Sequence, residues 1–376
     1  MTGSDDKPIV VCLDKFRGSA TARQACQWLA EGVEEADGRR PVIERPIADG
    51  GEGTVDALIA RGYRQVTTTV PGPLGEPVTA MLAVRNSRAV VELAQASGLH
   101  HVRPDARTAL DASTFGTGVL LRTALYCGCR DIVLAVGGSA TTDGGAGLLQ
   151  ALGARITTAD GTEAGPGGAA LVNVARIDLD GLDSRLREVG LTLACDVNNP
   201  LLGPHGAAAV FAPQKGAGPD EIRLLEAGLE QYSRLVAARI GADHAEKPGA
   251  GAAGGTGFAA LAVLGADRTS GADFMLAELD LDRAMRGAAV AVVGEGKLDE
   301  QSLRGKAPVR AAALAAAHGV PVVAVAGRIA VSDAELAAHG ITRTYELLSL
   351  AGDAETAMAE APRLLRQVGR RIAATL

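Results

Sequence analysis

Aromatic residues and long apolar runs are both scarce in this sequence. Phe, Trp and Tyr make up 3% of the 376 residues, which leaves little material for the stacking surfaces that bind single-stranded nucleic acids. The net charge is −7 and no block of Lys and Arg is present, so a phosphate-backbone surface is not expected. The apolar runs at 288–293 and 320–326 are far shorter than the roughly 20 residues that cross a bilayer. We therefore expect neither a nucleic-acid partner nor a membrane partner.

Cysteine is also sparse, and its pattern indicates reduced thiols. The five cysteines form no CxxC pair and lie mostly in apolar segments, which is typical of buried thiols in a cytosolic protein. The N-terminal sequence MTGSDDKPIVVCLD has acidic residues where a signal peptide carries basic ones. The sequence thus predicts a cytoplasmic protein with these cysteines in its core: Cys12, Cys26, Cys127, Cys129 and Cys195.

Several common catalytic motifs are missing. No GxxxxGK[ST] occurs, and no GxGxxG follows the first apolar segment, so the signatures of P-loop enzymes and nicotinamide-dependent dehydrogenases are absent. The six histidines show no HExxH spacing, and there is no GxSxG, which argues against a zinc site and a serine hydrolase. A phosphate site in this chain would have to be built differently.

Alternating strand and helix signals at both ends of the chain predict an α/β fold. Apolar segments at residues 9–13 and 42–48 are each followed by a glycine-bearing loop and a helical pattern. Three similar units begin near residues 288–293, 320–326 and 341–347. Strands that are buried on both faces and followed by helices are typical of a doubly wound parallel sheet.

The middle of the chain predicts a second domain. VTTTVPGPLGEPVTAMLAV and AVVELA read as antiparallel or mixed strands joined by Pro and Gly turns. The length exceeds the size at which single cores stop growing, so two domains are expected, with one compact domain as the alternative. The expected limits are 1–65 with 285–376 for a discontinuous domain, and 66–284 for an inserted α/β domain. The unit DIVLAVGGSATTDGGAG could belong to either domain.

Five polar, glycine-bearing loops follow strand-like segments and are the first candidates for a site. Ligands of open α/β sheets bind outside the carboxyl ends of the strands, and glycine lets backbone N–H groups approach an anion closely. Tight turns and helix caps are the alternative explanation for any one of them. The loops are DKFRGS (14–19), DGGEGT (49–54), GGSATTDGGAG (137–147), DVNNPL (196–201) and GEGKLDEQS (294–302).

Charged residues in these loops predict phosphoryl transfer. The reaction needs carboxylates for Mg²⁺ and for the acceptor hydroxyl, and cations for the phosphoryl oxygens. Lys215 follows AAAVF, which we interpret as a strand, in the turn APQKGAG. Helix caps and solvated surface positions are the alternatives for individual side chains. The acidic set is Asp14, Asp49, Glu52, Asp143, Asp196, Glu295 and Asp299, and the basic set is Lys15, Arg17, Lys215 and Lys306.

Taken together and in order, the loop motifs closely resemble the bacterial glycerate kinase family of the type 1 class. The resemblance rests on DKFRGS, PIADGGEGT, VELAQASGL, TFGTG, GGSATTDGGAGLLQALGA, CDVNNPLLG, VFAPQKGA, PGAGAAGGTGF and GEGKLDEQSLRGKAP, and it spans essentially the whole chain. It implies a flavodoxin-like domain that carries an inserted second α/β domain, with the active site in the cleft between them. Two departures are Arg17, where the family often has Lys, and Thr142, where it often has Asn.

The resemblance also implies an activity, in which ATP phosphorylates D-glycerate with the help of Mg²⁺. The 2-phosphoglycerate product is favoured over the 3-phosphoglycerate product. A sugar-acid or nucleotide-binding regulator and a kinase for another hydroxy acid are the alternatives. The sequence leaves open whether the protein is a monomer or a homodimer.

Residue chemistry suggests a role for each loop. Glycerate's carboxylate would be held by Lys15 or Arg17 with the DGGEGT loop, and the triphosphate would lie against GGSATTDGGAG. The catalytic candidates are Asp196 as the base, Asp49 as the reserve base, Lys15 and Lys215. The metal candidates are Asp143, Glu295 and Asp299. The other binding candidates are Ser19, Gly50, Gly51, Glu52, Gly138, Ser139, Thr142, Asn198, Asn199, Gln214, Gly294, Gly296, Gln301, Ser302 and Lys306.

Overall fold

A computed structural model describes residues 7–376 of the chain. The chain divides into two units. Unit 1 contains the chain up to Asp49, the segment Asp56–Arg61 and Ala272–Leu376, and unit 2 contains Gly50–Val55 and Gly62–Gly271. The domain limits expected from the sequence stay a prediction. The acidic start MTGSDD, from which the location was predicted, lies outside the described residues.

Thirteen strands occur among residues 7–376. They are β1 (Ile9–Leu13), β2 (Val42–Glu44), β3 (Arg64–Pro71), β4 (Pro77–Arg85), β5 (Arg88–Glu92), β6 (Asp131–Ala135), β7 (Arg155–Thr158), β8 (Val174–Asp178), β9 (Gly190–Ala194), β10 (Asp267–Thr269), β11 (Val290–Leu298), β12 (Val322–Ile329) and β13 (Ile341–Glu346).

The α-helices lie between and after these strands. They are α1 (Ala22–Ala36), α2 (Thr54–Ala60), α3 (Ala94–Ser97), α4 (Ala106–Asp111), α5 (Phe115–Tyr126), α6 (Ala146–Ala151), α7 (Ala207–Phe211), α8 (Pro219–Ile240), α9 (Ala252–Ala262), α10 (Gly271–Glu278), α11 (Leu281–Met285), α12 (Glu300–Leu303), α13 (Ala307–Ala317), α14 (Asp333–Ala338), α15 (Leu347–Ala351), α16 (Ala354–Ala359) and α17 (Ala361–Ala373).

Unit 1 is built on a five-stranded sheet in which every pairing is parallel. Its strand order, β2-β1-β11-β12-β13, is that of flavodoxin-like doubly wound sheets. Strand β1 pairs with β2 on one side and β11 on the other. It reads IVVCL and is fully buried, because β-branched side chains suit a strand that is covered on both faces. The fold class expected from the sequence is confirmed.

Helices α1 and α17 of unit 1 pack against each other through a pair of glycines. A Cβ atom at Gly32 would lie 2.0 Å from the carbonyl oxygen of Arg366, and one at Gly369 would lie 2.2 Å from that of Leu29. Since real Cβ atoms do not approach backbone so closely, only glycine lets these two helices lie this near each other.

Unit 2 contains a six-stranded mixed sheet with the order β10-β9-β6-β5-β4-β3. The hairpin strands β3, β4 and β5 pair antiparallel, and β5, β6, β9 and β10 pair parallel. The carboxyl ends of the four parallel strands therefore lie at one edge of this sheet. A separate antiparallel pair is formed by β7 and β8.

Three local predictions from the sequence are wrong. The second strand ends at Glu44 instead of continuing to residue 48, although the N–H groups of Arg45 and Ile47 still donate to the carbonyl oxygens of Val11 and Leu13 in β1. AAAVF forms helix α7 and not a strand, because its three alanines favour a helix. Cys127 is exposed, whereas the other four cysteines are buried.

As for membranes, no helix within residues 7–376 is both long and apolar enough to cross one.

Candidate functional site

In unit 1, two buried carboxylates lie at the point where the strand order reverses. Asp14 directly follows β1, and Glu295 lies in the neighbouring strand β11. The backbone N–H of Asp14 donates to the carbonyl oxygen of Gly294 over 2.8 Å. Asp14 is 5% exposed and Glu295 is 7% exposed. In doubly wound sheets this reversal point, at the carboxyl ends of the strands, is where ligands bind.

Burial changes the acidity of both groups. Burial, with the nearby charge of Asp49, raises the pKa of Asp14 to about 8, and Lys15 opposes that shift. The pKa of Glu295 is also raised by burial, against the effects of Ser302 and Lys306. An isolated buried charge is costly, so a carboxyl group in this position keeps its proton to higher pH. Unit 1 therefore holds one carboxyl group, that of Asp14, whose charge depends on pH near neutrality.

Glu295 and Asp299 differ in how their oxygens are used. Glu295 Oε2 accepts from Lys306 Nζ over 3.2 Å, whereas its buried Oε1 has no hydrogen-bond partner in the described chain. Asp299 caps α12 through the N–H groups of Gln301 and Ser302 and pairs with Lys297 at 2.9 Å. Of these two predicted metal ligands, Glu295 keeps a carboxylate oxygen available and Asp299 is occupied by the protein.

In unit 2, the DGGEGT segment from Gly50 onward lies at the carboxyl edge of the mixed sheet. The N–H of Gly137, which follows β6, donates to the carbonyl oxygen of Gly50 over 3.1 Å. A Cβ atom at Gly137 would lie 2.5 Å from the Cα of Gly51. Gly50 and Gly51 are buried and Glu52 is half-buried. The DGGEGT and GGSATTDGGAG loops are thus in direct backbone contact.

The GGSATTDGGAG loop is built around the ammonium group of Lys215. This side chain is 1% exposed, and its Nζ donates to Ser139 Oγ over 3.1 Å and to the carbonyl oxygen of Thr141 over 2.5 Å. Burial lowers the pKa of Lys215 to about 7, although the negative charge of Asp143 acts against this. The predicted phosphate-binding lysine therefore lies beneath the loop and fixes its shape.

Asp143 is buried within the same loop, and four protein donors satisfy its carboxylate. Oδ2 accepts from the N–H and the hydroxyl of Thr114, both over 2.8 Å, and from the N–H of Gly147 over 3.3 Å. Oδ1 accepts from the N–H of Gly145 over 3.1 Å. Burial raises the pKa of Asp143, against these hydrogen bonds. These contacts favour an anchoring role for Asp143, and its predicted metal role stays a prediction.

A left-handed turn at the start of α9 packs on the loop from the other side. Ala253, Gly254 and Gly255 have φ angles of 51°, 65° and 91°, and the N–H of Gly144 donates to the carbonyl oxygen of Gly254 over 3.0 Å. A Cβ atom at Gly254 would lie 1.9 Å from the carbonyl oxygen of Thr141. The motif PGAGAAGGTG therefore packs directly against the loop through its backbone.

Two hydroxyl groups in the loop remain unused by the protein. Thr141 and Thr142 are both fully buried, and their Oγ1 atoms have no hydrogen-bond partner among the described residues. Buried polar atoms are nearly always paired in folded proteins. A bound group with oxygen atoms would supply the partner that these hydroxyls lack.

The DVNNPL loop follows β9 at the same edge of the unit 2 sheet. Asp196 is exposed and accepts from Ser270 Oγ over 2.6 Å. Asn198 accepts from Arg268 over 2.6 Å, and Asn199 donates to the carbonyl oxygen of His205 over 2.8 Å. The predicted base is therefore accessible, and the two neighbouring amides have partners in the protein.

The remaining predicted residues fall into exposed and structural positions. Arg17, Gly138, Gln214 and Gln301 are exposed, and Ser19 donates to the carbonyl oxygen of Phe16. Gly294 serves strand packing, because a Cβ atom there would lie 1.7 Å from the carbonyl oxygen of Val325, and Gly296 lies close to the backbone of Phe16 and Arg17. Ser302 helps to cap α12.

Within each unit, the structure groups the predicted residues as follows. Unit 1 brings together Asp14, Lys15, Asp49, Glu295 and Lys306. Unit 2 brings together the DGGEGT segment, the GGSATTDGGAG loop and Lys215. Across the described part of the chain, no three His, Cys, Asp or Glu side chains form a group that could hold a metal ion.

Sequence reasoning gave no role to several residues at these sites. Asp14 was recognised as acidic but was not assigned, and Ser270, Thr114 and Arg268 were not singled out. Ser270 and Thr114 contact carboxylates that lie 74 and 29 residues away, so these partners could not be assigned from local sequence, although Thr114 belongs to the motif TFGTG. For Asp14, its position directly after the first buried strand was the available signal.

Comparison with known proteins gives consistent matches over the whole chain. The model of the "Glycerate kinase family" matches residues 9–376. The glycerate kinase of Bacillus subtilis (strain 168) is 40% identical over 371 residues, which cover 98% of this chain and 97% of that protein. The glycerate 2-kinase of Escherichia coli (strain K12) is 38% identical over 371 residues, with the same coverage of both chains.

A solved structure agrees with the sequence matches. A crystal structure from Salmonella typhimurium LT2, named as a candidate glycerate kinase 2, superposes on this chain with a TM-score of 0.83. The two chains are 38% identical, and the match covers 98% of each.

Proposed function

The chain belongs to the glycerate kinase family, and from that premise we propose that it transfers the terminal phosphoryl group of ATP to D-glycerate. The observation that carries this proposal is the GGSATTDGGAG loop at a carboxyl strand end, with a buried lysine beneath it and two partnerless threonine hydroxyls within it. Backbone N–H groups, hydroxyls and a lysine are the donors that cradle phosphates in proteins.

The triphosphate of ATP binds to the GGSATTDGGAG loop in this proposal. Thr141 and Thr142 offer hydroxyl donors, and the glycines allow close approach of the backbone. Lys215 uses two of its three N–H groups on the loop itself, so it acts mainly through its charge. A phosphate dianion nearby would favour the charged form of this lysine and raise its pKa.

D-Glycerate binds with its carboxylate on Lys15 or Arg17 and the DGGEGT loop. Its hydroxyl oxygen attacks the γ-phosphorus, the bond from that phosphorus to the bridging oxygen breaks, and ADP leaves. Asp196 accepts the hydroxyl proton, a role that its exposure and its hydrogen bond from Ser270 support. Asp49 remains the reserve base.

Mg²⁺ accompanies ATP in this proposal and would neutralise charge on the phosphoryl oxygens. Magnesium in such sites keeps several waters and takes only one or two carboxylates from the protein. Glu295 fits this chemistry, because its buried Oε1 has no partner in the described chain. Asp143 and Asp299 are less suited, since protein donors occupy their oxygens.

The finer features of the activity are also part of the proposal. We favour 2-phosphoglycerate as the product, as the name of the Escherichia coli relative also suggests. A cytoplasmic location and a monomeric or homodimeric state remain expectations, as does the placement of the active site in an interdomain cleft.

A coupled assay tests the activity directly. Purified protein with ATP and Mg²⁺ is expected to release ADP with D-glycerate, and much less with L-glycerate, glycolate or tartronate. Addition of enolase identifies the product, because enolase converts 2-phosphoglycerate to phosphoenolpyruvate and leaves 3-phosphoglycerate unchanged. ADP release with another hydroxy acid alone would favour the alternative substrate, and ligand binding without ADP release would favour the regulator.

A further inference from the structure

The side chain of Glu92 is a fully buried carboxylate that the proposed reaction does not use. Glu92 is the last residue of β5, in the motif VELAQASGL, and is 0% exposed. Its two oxygens accept backbone N–H groups from the DGGEGT loop. Oε1 accepts from Gly53 over 3.3 Å, and Oε2 accepts from Val55 over 2.9 Å.

Three further contacts hold the same segment in unit 2. Thr54 Oγ1 donates to the carbonyl oxygen of Gly51 over 2.7 Å, and Gly50 accepts from the N–H of Gly137. A Cβ atom at Gly50 would lie 3.0 Å from the Cα of Gly271. The segment therefore lies across the ends of several strands, and the buried side chain of Glu92 accepts two of its backbone N–H groups.

A carboxylate suits this task better than an amide. Both N–H groups need acceptors, and a carboxylate offers two, whereas the side chain of glutamine would turn an NH₂ group toward one of the donors. Hydrogen bonds to an ionised acceptor are also stronger than those to a neutral one. The burial of a polar group is tolerated when such bonds compensate it.

We propose that Glu92 is a positioning residue for the acceptor substrate, which holds the DGGEGT loop in the shape that binds D-glycerate. This inference rests on the proposed function. It predicts that the loss of Glu92 affects the recognition of glycerate more than that of ATP, because the nucleotide loop has further anchors in Lys215 and Asp143.

Steady-state kinetics of Glu92→Gln provide the main test. We expect the KM for D-glycerate to rise at least about 10-fold, because small displacements of positioning groups are costly. The KM for ATP should stay within about 2-fold of the parent value, since the substitution does not change the residues that bind ATP in this proposal. Asp131→Asn is the control, because this carboxylate lies at the opposite end of the neighbouring strand β6. It should leave both constants unchanged.

Hydrogen exchange separates this inference from the activity itself. In Glu92→Gln the amides of residues 50–55 should exchange faster than in the parent, as should that of Gly137, which donates to Gly50, and the amides of residues 138–147 should not. Should Glu92→Gln fail to fold, Glu92→Asp keeps the charge at a shorter reach and is expected to show the same pattern.

Two results would overturn the inference: unchanged exchange at residues 50–55, or equal effects on both substrates in folded variant protein. If the parent protein shows no activity with glycerate, the proposed function and the glycerate-positioning role fail together. Exchange at residues 50–55 then decides only whether Glu92 anchors the loop.

Discussion

Asp14 and Lys215 are ionisable side chains that the fold removes almost completely from water, with exposures of 5% and 1%. Burial raises the pKa of Asp14 to about 8 and lowers that of Lys215 to about 7. Both groups therefore change charge near neutral pH, where an unperturbed aspartate or lysine would not. Stability and ligand binding should both respond to pH in this range.

Asp14 predicts a specific pH dependence of stability. Between its ordinary pKa of 3.8 and the folded value of about 8, the folded protein keeps a proton that the unfolded chain releases, so stability falls as pH rises. Asp14→Asn removes this effect. We expect urea unfolding without ligands to show that the free energy of unfolding of the variant, relative to that of the parent, increases by about 1 to 3 kcal/mol between pH 5 and pH 7.

The exposed Asp333 provides the control for this measurement, since it also lies in unit 1. In Asp333→Asn the free energy of unfolding should change with pH as it does in the parent protein. If the free energies of unfolding of Asp14→Asn and the parent change with pH by the same amount, Asp14 is ionised in the folded state at pH 5, contrary to the burial argument.

At the scale of elements, the left-handed turn Ala253–Gly255 connects the start of α9 to the nucleotide loop. Gly254 and Gly265 have the same φ of +65°, but a Cβ atom at Gly254 would lie 1.9 Å from Thr141 O, whereas one at Gly265 would meet nothing within 4 Å. An alanine would have to adopt a left-handed conformation at either position, but only at Gly254 would its Cβ atom also clash with the nucleotide loop.

This pair gives a matched test of the turn. Gly265→Ala should lower the free energy of unfolding by about 1 kcal/mol, the cost of a left-handed residue. Gly254→Ala should cost about 2 kcal/mol or more, because the displaced loop adds to that strain. It should also weaken ATP saturation. Equal losses in the two variants would mean that the loop does not rest on the turn.

The sequence predicted elements well where local patterns decide them. Helix α1 follows from its apolar spacing, and Thr21 with Gln24 forms the capping box that starts it. AAAVF was misread because a five-residue apolar segment does not distinguish a strand from a helix. The left-handed turn within PGAGAAGGTG could not be located from local sequence, because the neighbour against which it packs, Thr141, lies more than 100 residues earlier.

At the scale of the whole molecule, the parallel sheet of unit 1 joins strands from both ends of the chain. β1 pairs with β11, so residues near position 10 lie beside residues near position 291. The number of α/β units could be read from sequence, and the flavodoxin-like class followed from the motifs. Long-range contacts such as those of Lys215 with Thr141, 74 residues apart, depend on the folded chain, so sequence could nominate this lysine but not its partner.

A crystal structure of the protein with an ATP analogue, Mg²⁺ and D-glycerate is the most direct test of the central claim. We predict that the phosphates lie on residues 137–147 with Thr141 or Thr142 within hydrogen-bond distance, that Lys15 or Arg17 holds the glycerate carboxylate, and that Asp196 contacts the hydroxyl to be phosphorylated. Phosphates bound elsewhere, with Asp49, Asp196 and Glu295 distant from both ligands, would contradict the account.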